Sequence, residues 1–143
     1  MFPELISGSI LLAITVAIHA VGMMVLLRWV VRVHPQIGSQ FWAMTWLLIR
    51  LAWSLLAFHL VEIAIWALFF WWQRCLPDLE SAFYFSGVTY TTVGYGDLVL
   101  PPEWRMLGPI EGLTGILMCG LSTGFFFAVV SRLYAAQKKE AGP

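Results

Sequence analysis

Charged side chains are scarce in this chain: eight Lys or Arg and eight Asp or Glu make up 11% of 143 residues and cancel to a formal net charge of zero. No basic surface for nucleic acid is apparent, and no like-charge block suggests a solvated tail. Cysteine is nearly absent, with only Cys75 and Cys119. Neither the cysteines nor the histidines have metal-ligand spacing, and there is no nucleophile motif or phosphate-binding loop. Enzyme activity and an organic cofactor are therefore not expected. Repeats, low-complexity tracts and linkers are also missing, which leaves room for one compact domain.

What fills the chain is apolar. Hydrophobic residues make up 60%, against roughly 45–50% in soluble chains, and the mean hydropathy is +0.82. Three runs, Ile10–Val31, Leu51–Trp72 and Leu107–Val130, are long enough to cross a hydrocarbon core of about 30 Å at about 1.5 Å per residue. A fourth element, Pro77–Thr89, is too short to span. The opening Met1-Phe2-Pro3-Glu4 has no basic stretch before the first run, so that run reads as a retained helix and not as a secretory signal. Arg28, Arg32, Arg50, Arg132, Lys138 and Lys139 fall on one side, and only Arg74 and Arg105 on the other. The first side is expected to be cytoplasmic, with the N-terminus outside and the C-terminus inside. Trp66, Trp71, Trp72 and Trp104 then mark the outer boundary, and Trp29, Trp42, Trp46 and Trp53 the inner one.

Between the short element and the third run stands Thr91-Thr92-Val93-Gly94-Tyr95-Gly96-Asp97. Gly94 and Gly96 permit positive-φ backbone, which a loop needs if successive carbonyls are to face one axis. A ring of such loops can replace the hydration shell of a cation with neutral backbone oxygens. The short element suits this loop. Asp78 and Glu80 complement the positive first turn of a helix about 20 Å long, and its partially negative C-terminal end would favour a cation at mid-membrane. Pro77 sits where that helix could begin. The loop would then climb about 13 Å outward at roughly 3.3 Å per residue, past an acidic mouth of Glu4, Asp78, Glu80, Asp97 and Glu103.

Thr92 to Gly96, with the flanks from Asp78 to about Val130, resembles tetrameric potassium channels with one pore loop per chain, of the bacterial two-transmembrane type. The resemblance implies an all-α membrane protein with three transmembrane helices. A re-entrant pore helix and selectivity-filter loop would lie between the second and third. It implies that the carbonyls of Thr92, Val93, Gly94 and Tyr95, with the Thr92 hydroxyl, bind K+, while Val93 and Tyr95 brace the loop from behind. It aligns Gly120 with a hinge glycine of the inner helix. On the third run, Ser122 and Thr123 are candidates to line a water-filled cavity, and one of Phe125, Phe126 and Phe127 to form an apolar constriction. Close helix packing is the alternative role for the pairs Gly120/Gly124 and Gly108/Gly112.

The chain also departs from that family. Tyr84-Phe85 stands where many relatives carry a tryptophan pair. Val88 stands where some bacterial members have a glutamate that holds the aspartate after the filter, so Asp97 lacks that partner. Residues 41–143 account for the pore module, and residues 1–40 form an additional N-terminal helix and cytoplasmic loop. Arg28 and Arg32 lack the repeated spacing of a voltage sensor and read instead as anchors.

Three titratable residues fall inside the apolar runs: His19, His59 and Glu62. His19 and Glu62 lie at similar depth on antiparallel runs and could pair, and His59 offers Glu62 a local i,i+3 contact. They form a candidate proton-sensitive cluster or a hydrogen-bonded structural one. Glu111 is a further candidate behind the filter. Cys75, near the end of the second run, is expected to be a free thiol, with a bridge between subunits as the alternative. The expected partners are three further copies of the chain, membrane lipid and no nucleic acid; a regulatory protein is left open. Passive K+ conduction in a bacterial-type plasma membrane is the expected function. A non-conducting regulatory subunit and a weakly selective cation channel are the alternatives.

Overall fold

The computed structural model describes the backbone of residues 2–37 and 41–140 and the side-chain surroundings of residues 4–33 and 41–135. The side chains of Lys138 and Lys139, placed on the cytoplasmic side by the charge pattern, lie outside the described residues. Four helices follow in order: α1 (Phe2–Ile37), α2 (Phe41–Trp72), α3 (Leu79–Tyr90) and α4 (Leu107–Glu140). Among the described residues there is no strand. The segments Glu4–Val33, Phe41–Trp72 and Leu107–Ala135 are long and apolar enough to cross a membrane. At 12 residues, α3 is about 18 Å long and cannot.

The helices outrun the apolar stretches that announce them. α2 begins at Phe41 instead of Leu51, and α4 continues past Val130 to Glu140. Hydropathy drops at Arg50 and Arg132, but a charged residue near a membrane boundary ends an apolar run without breaking the helical backbone. Arg50 is accommodated over the Trp46 ring, 5.4 Å from its centroid.

Local chemistry explains the true ends. α2 stops in a Schellman motif: Cys75 N–H donates to Phe70 C=O at 2.9 Å and Arg74 N–H to Trp71 C=O at 3.0 Å. Arg74 takes the left-handed position, φ 54°, that glycine usually occupies. α3 starts two residues later than Pro77 suggests, at Leu79. Asp78 is its N-cap, accepting from Ser81 N–H at 2.7 Å, and Pro77 lies outside the helix. In α4, Pro109 falls in the first turn, where its missing N–H has no intrahelical partner to lose.

Packing is layered along the helix axes. One apolar cluster joins Leu11 of α1, Trp66 and Phe70 of α2, Phe85 of α3 and Leu107 of α4, with Leu100 of the connecting loop. A second, toward the other ends, joins Leu26 and Val30 with Leu47, Leu51 and Leu55, and with Val129 and Leu133. Trp66, expected at the outer boundary, belongs instead to the first cluster. It is fully buried, and its indole N–H donates to Thr15 Oγ1 at 3.2 Å. Helical periodicity explains the difference: Trp66 shares the inward face with Glu62 and Phe70, whereas Trp71 and Trp72 are exposed.

Candidate functional site

The end of α3 sets the conformation of the segment after it. Thr91 is the C-cap, with its N–H donating to Gly87 C=O at 3.1 Å and its hydroxyl to the same carbonyl at 2.7 Å. Thr92 N–H donates to Thr89 C=O at 2.9 Å, and Gly94 N–H reaches back to Val88 C=O at 3.0 Å. Carbonyls left over at the helix end thus hold the next residues in place. Val88 provides no carboxylate to this region, but its backbone oxygen is one of the anchors.

Backbone handedness then alternates. Thr92 (φ 61°), Gly94 (φ 52°) and Gly96 (φ 77°) have positive φ, and Val93 and Tyr95 between them do not. In a strand, successive carbonyls point to opposite sides; reversing the hand at every second residue lets them face the same side. The segment lies open on its own chain: all residues from Thr91 to Asp97 are exposed, Val93 by 52% and Tyr95 by 72%. Asp97 is held by an unforeseen partner, because Tyr84 of α3 donates its hydroxyl to Asp97 Oδ2 at 2.8 Å.

α4 supports this arrangement from behind. Gly115 crosses the C-terminal end of α3 so closely that a Cβ there would overlap the Tyr90 carbonyl oxygen. The glycines singled out from their spacing behave differently. A methyl group added at Gly108, Gly120 or Gly124 would meet nothing within 4 Å, and one at Gly112 would make only ordinary contact with Thr89. α4 runs unbroken through Gly120.

Midway between the two apolar clusters lies a polar layer built from all four helices. His19 Nδ1 of α1 lies 2.7 Å from Glu62 Oε1 of α2, so the expected pair forms. Tyr90 of α3 donates its hydroxyl to Glu62 Oε2, and Tyr90 Oη lies 3.0 Å from His59 Nδ1. Ser122 Oγ of α4 lies 3.2 Å from His19 Nε2 and 3.0 Å from His59 Nε2. The five side chains close a ring, His19–Glu62–Tyr90–His59–Ser122. The local contact expected between His59 and Glu62 is looser, at 3.6 Å, with Tyr90 joining the two.

This ring corrects the cavity expectation for Ser122. Its side chain is 6% exposed and points at the two imidazoles, so it does not line an open surface of the chain. Thr123, one residue on, is exposed, with its hydroxyl donating to Cys119 C=O at 2.9 Å. Phe125 and Phe126 pack on the second apolar cluster, whereas Phe127 is 71% exposed. Glu111 is fully buried. One of its oxygens contacts Ser86 Oγ at 2.5 Å, and Ser86 Oγ also donates to Ile63 C=O at 2.9 Å. The other Glu111 oxygen has no hydrogen-bond partner among the described residues. Both cysteines are free thiols, Cys75 buried and Cys119 exposed.

Sequence reasoning misses Tyr90 and Gly115, and it sees Tyr84 only as half of an aromatic pair. Tyr90 has a usable signal, since it ends the short helix at the depth where His19, His59 and Glu62 fall. Gly115 has none, because it belongs to no small-residue pair of the spacing considered.

Three long apolar helices accompany a short one, which packs on α2 and α4 and ends in an exposed loop of alternating backbone hand; this is the anatomy of a membrane pore-forming chain. The profile of a family described as “Ion channel” matches residues 10–132, from within α1 to within α4. The chain belongs to this ion channel family and is an integral membrane protein. No curated protein and no solved structure matches it.

Proposed function

We propose that the protein is a potassium-selective channel, formed by four copies that each contribute one filter loop. The observation that carries this reading is the loop itself: Thr92-Val93-Gly94-Tyr95-Gly96 with alternating backbone hand, exposed in a single chain. Around a four-fold axis the carbonyls of Thr92, Val93, Gly94 and Tyr95, with the Thr92 hydroxyl, coordinate dehydrated K+. Val93 and Tyr95 then find in neighbouring copies the packing they lack alone. In this assembly α3 is a re-entrant pore helix whose C-terminal dipole faces the ion. Residues 41–143 are the pore module, and α1 is an additional peripheral helix. Thr123 faces the cavity, and Phe127 is the residue placed to narrow it. The arginine distribution supports a cytoplasmic C-terminus and an external N-terminus in a bacterial-type plasma membrane.

Purified protein reconstituted in liposomes tests this directly. A K+ gradient should drive flux that Na+ does not support, and Gly94→Ala should abolish it, because an L side chain is strained at φ 52°. Equal K+ and Na+ flux would mean a weakly selective cation pore. No flux from well-folded tetramers would mean a non-conducting subunit.

A further inference from the structure

The polar layer combines features that hydrogen bonding alone does not require. His19, His59 and Glu62 each offer one ligand atom, and all of these atoms lie within 4.8 Å of one another. Both imidazoles direct Nδ1 toward the Glu62–Tyr90 side, with His19 Nδ1 2.7 Å from Glu62 Oε1 and His59 Nδ1 3.6 Å from Glu62 Oε2. Both direct Nε2 at one atom, Ser122 Oγ.

We propose that His19, His59 and Glu62 form a binding site for a divalent d-block cation of the Zn2+ type, oriented by Ser122 and completed by the Tyr90 hydroxyl. Two imidazoles and a carboxylate are a donor set suited to zinc. Bonds of about 2.0–2.1 Å in tetrahedral geometry separate ligand atoms by about 3.3 Å, so the present distances bracket what is needed. Metal-bound histidines are normally held by a hydrogen bond at the other ring nitrogen. A serine oxygen has two lone pairs and can accept from both Nε2–H groups, which leaves both Nδ1 lone pairs for the metal. The Ser122 proton then turns to the Met118 carbonyl, four residues back, the usual acceptor for serine in a helix. His19 is then the Nε2–H tautomer, any proton on Nδ1 being exchanged for one on Nε2, so the ion occupies the space between Nδ1 and Glu62 Oε1. His59, whose side chain is 15% exposed, is the edge through which an ion enters. The bound ion would join α1, α2 and α3 directly and α4 through Ser122, whichever ion the pore conducts.

Cobalt(II) reports this geometry, because tetrahedral sites give strong visible d–d absorption. Full-length protein stripped with a chelator and titrated with Co2+ should show those bands at one equivalent per chain, and Zn2+ should remove them. The double variant His19→Gln, His59→Gln should lose them, while His34→Gln should keep them. Ser122→Ala should weaken binding by about 10- to 100-fold, and it serves as the second test where the double variant does not fold. Wild-type protein without tetrahedral bands in excess Co2+ would overturn the proposal, as would bands that persist in a folded double variant or unchanged affinity in Ser122→Ala.

Discussion

At the residue scale, the least expected conformation is that of Thr92. A β-branched residue at φ 61° carries strain of order 1–3 kcal/mol, and glycine would avoid it. A hydroxyl is what threonine adds there, and in the proposed filter that hydroxyl is the innermost ligand. Cys75 shows the opposite tendency, toward inertness. Burial, reinforced by the Glu103 carboxylate, pushes its thiol up to about 11. The reactive thiolate is therefore rare at neutral pH. In a Cys119→Ser background, the alkylation rate of Cys75 should rise about tenfold per pH unit from pH 7 to 10. A plateau near pH 8.5, the ordinary thiol range, would contradict this environment. The same burial removes Cys75 as an accessible bridge between subunits. Sequence predicts the free thiol but not its burial, because Cys75 lies beyond the apolar run, where only the Schellman turn folds it back beside Phe70.

At the element scale, the crossing of α3 and α4 depends on one missing side chain. Gly115→Ala would drive a methyl group into the Tyr90 carbonyl oxygen, and only a backbone shift can relieve that. Overpacking of this kind costs about 1–3 kcal/mol. Thermal unfolding in detergent should start at a lower temperature in Gly115→Ala, whereas Gly120→Ala, with open space around it, should unfold like the parent. Equal midpoints for the two variants would show that the crossing is not tight. The three long helices and the short one were legible because apolar length and dipole chemistry are local properties. Their ends were less so. Hydropathy cannot see that Phe41 to Arg50 is helical, and Pro77 looked like a first residue because the side chain that caps the helix is its neighbour Asp78.

At the scale of the whole molecule, a polar layer between two apolar clusters ties all four helices together. Tyr90→Phe keeps the aromatic ring but removes the hydroxyl that contacts both Glu62 and His59. Leaving those buried groups short of a partner should cost about 1–3 kcal/mol, read as a lower unfolding midpoint with helix content unchanged. An unaltered midpoint would mean that the layer does not hold the helices together. The pairing of His19 with Glu62 could be counted from depth along antiparallel runs. The closing members could not: Ser122 looked like a pore-facing hydroxyl because its rotational position on α4 is settled only by packing against α1 and α2.

The His19–Glu62 contact also bears on the order in which the chain is made. α1 leaves the ribosome before α2 and carries His19 to the depth at which Glu62 will arrive. When α2 follows, Glu62 meets a partner already at its own depth, before either α3 or α4 exists. α1 thus offers Glu62 of the helix synthesised after it a polar partner before α3 and α4 are made.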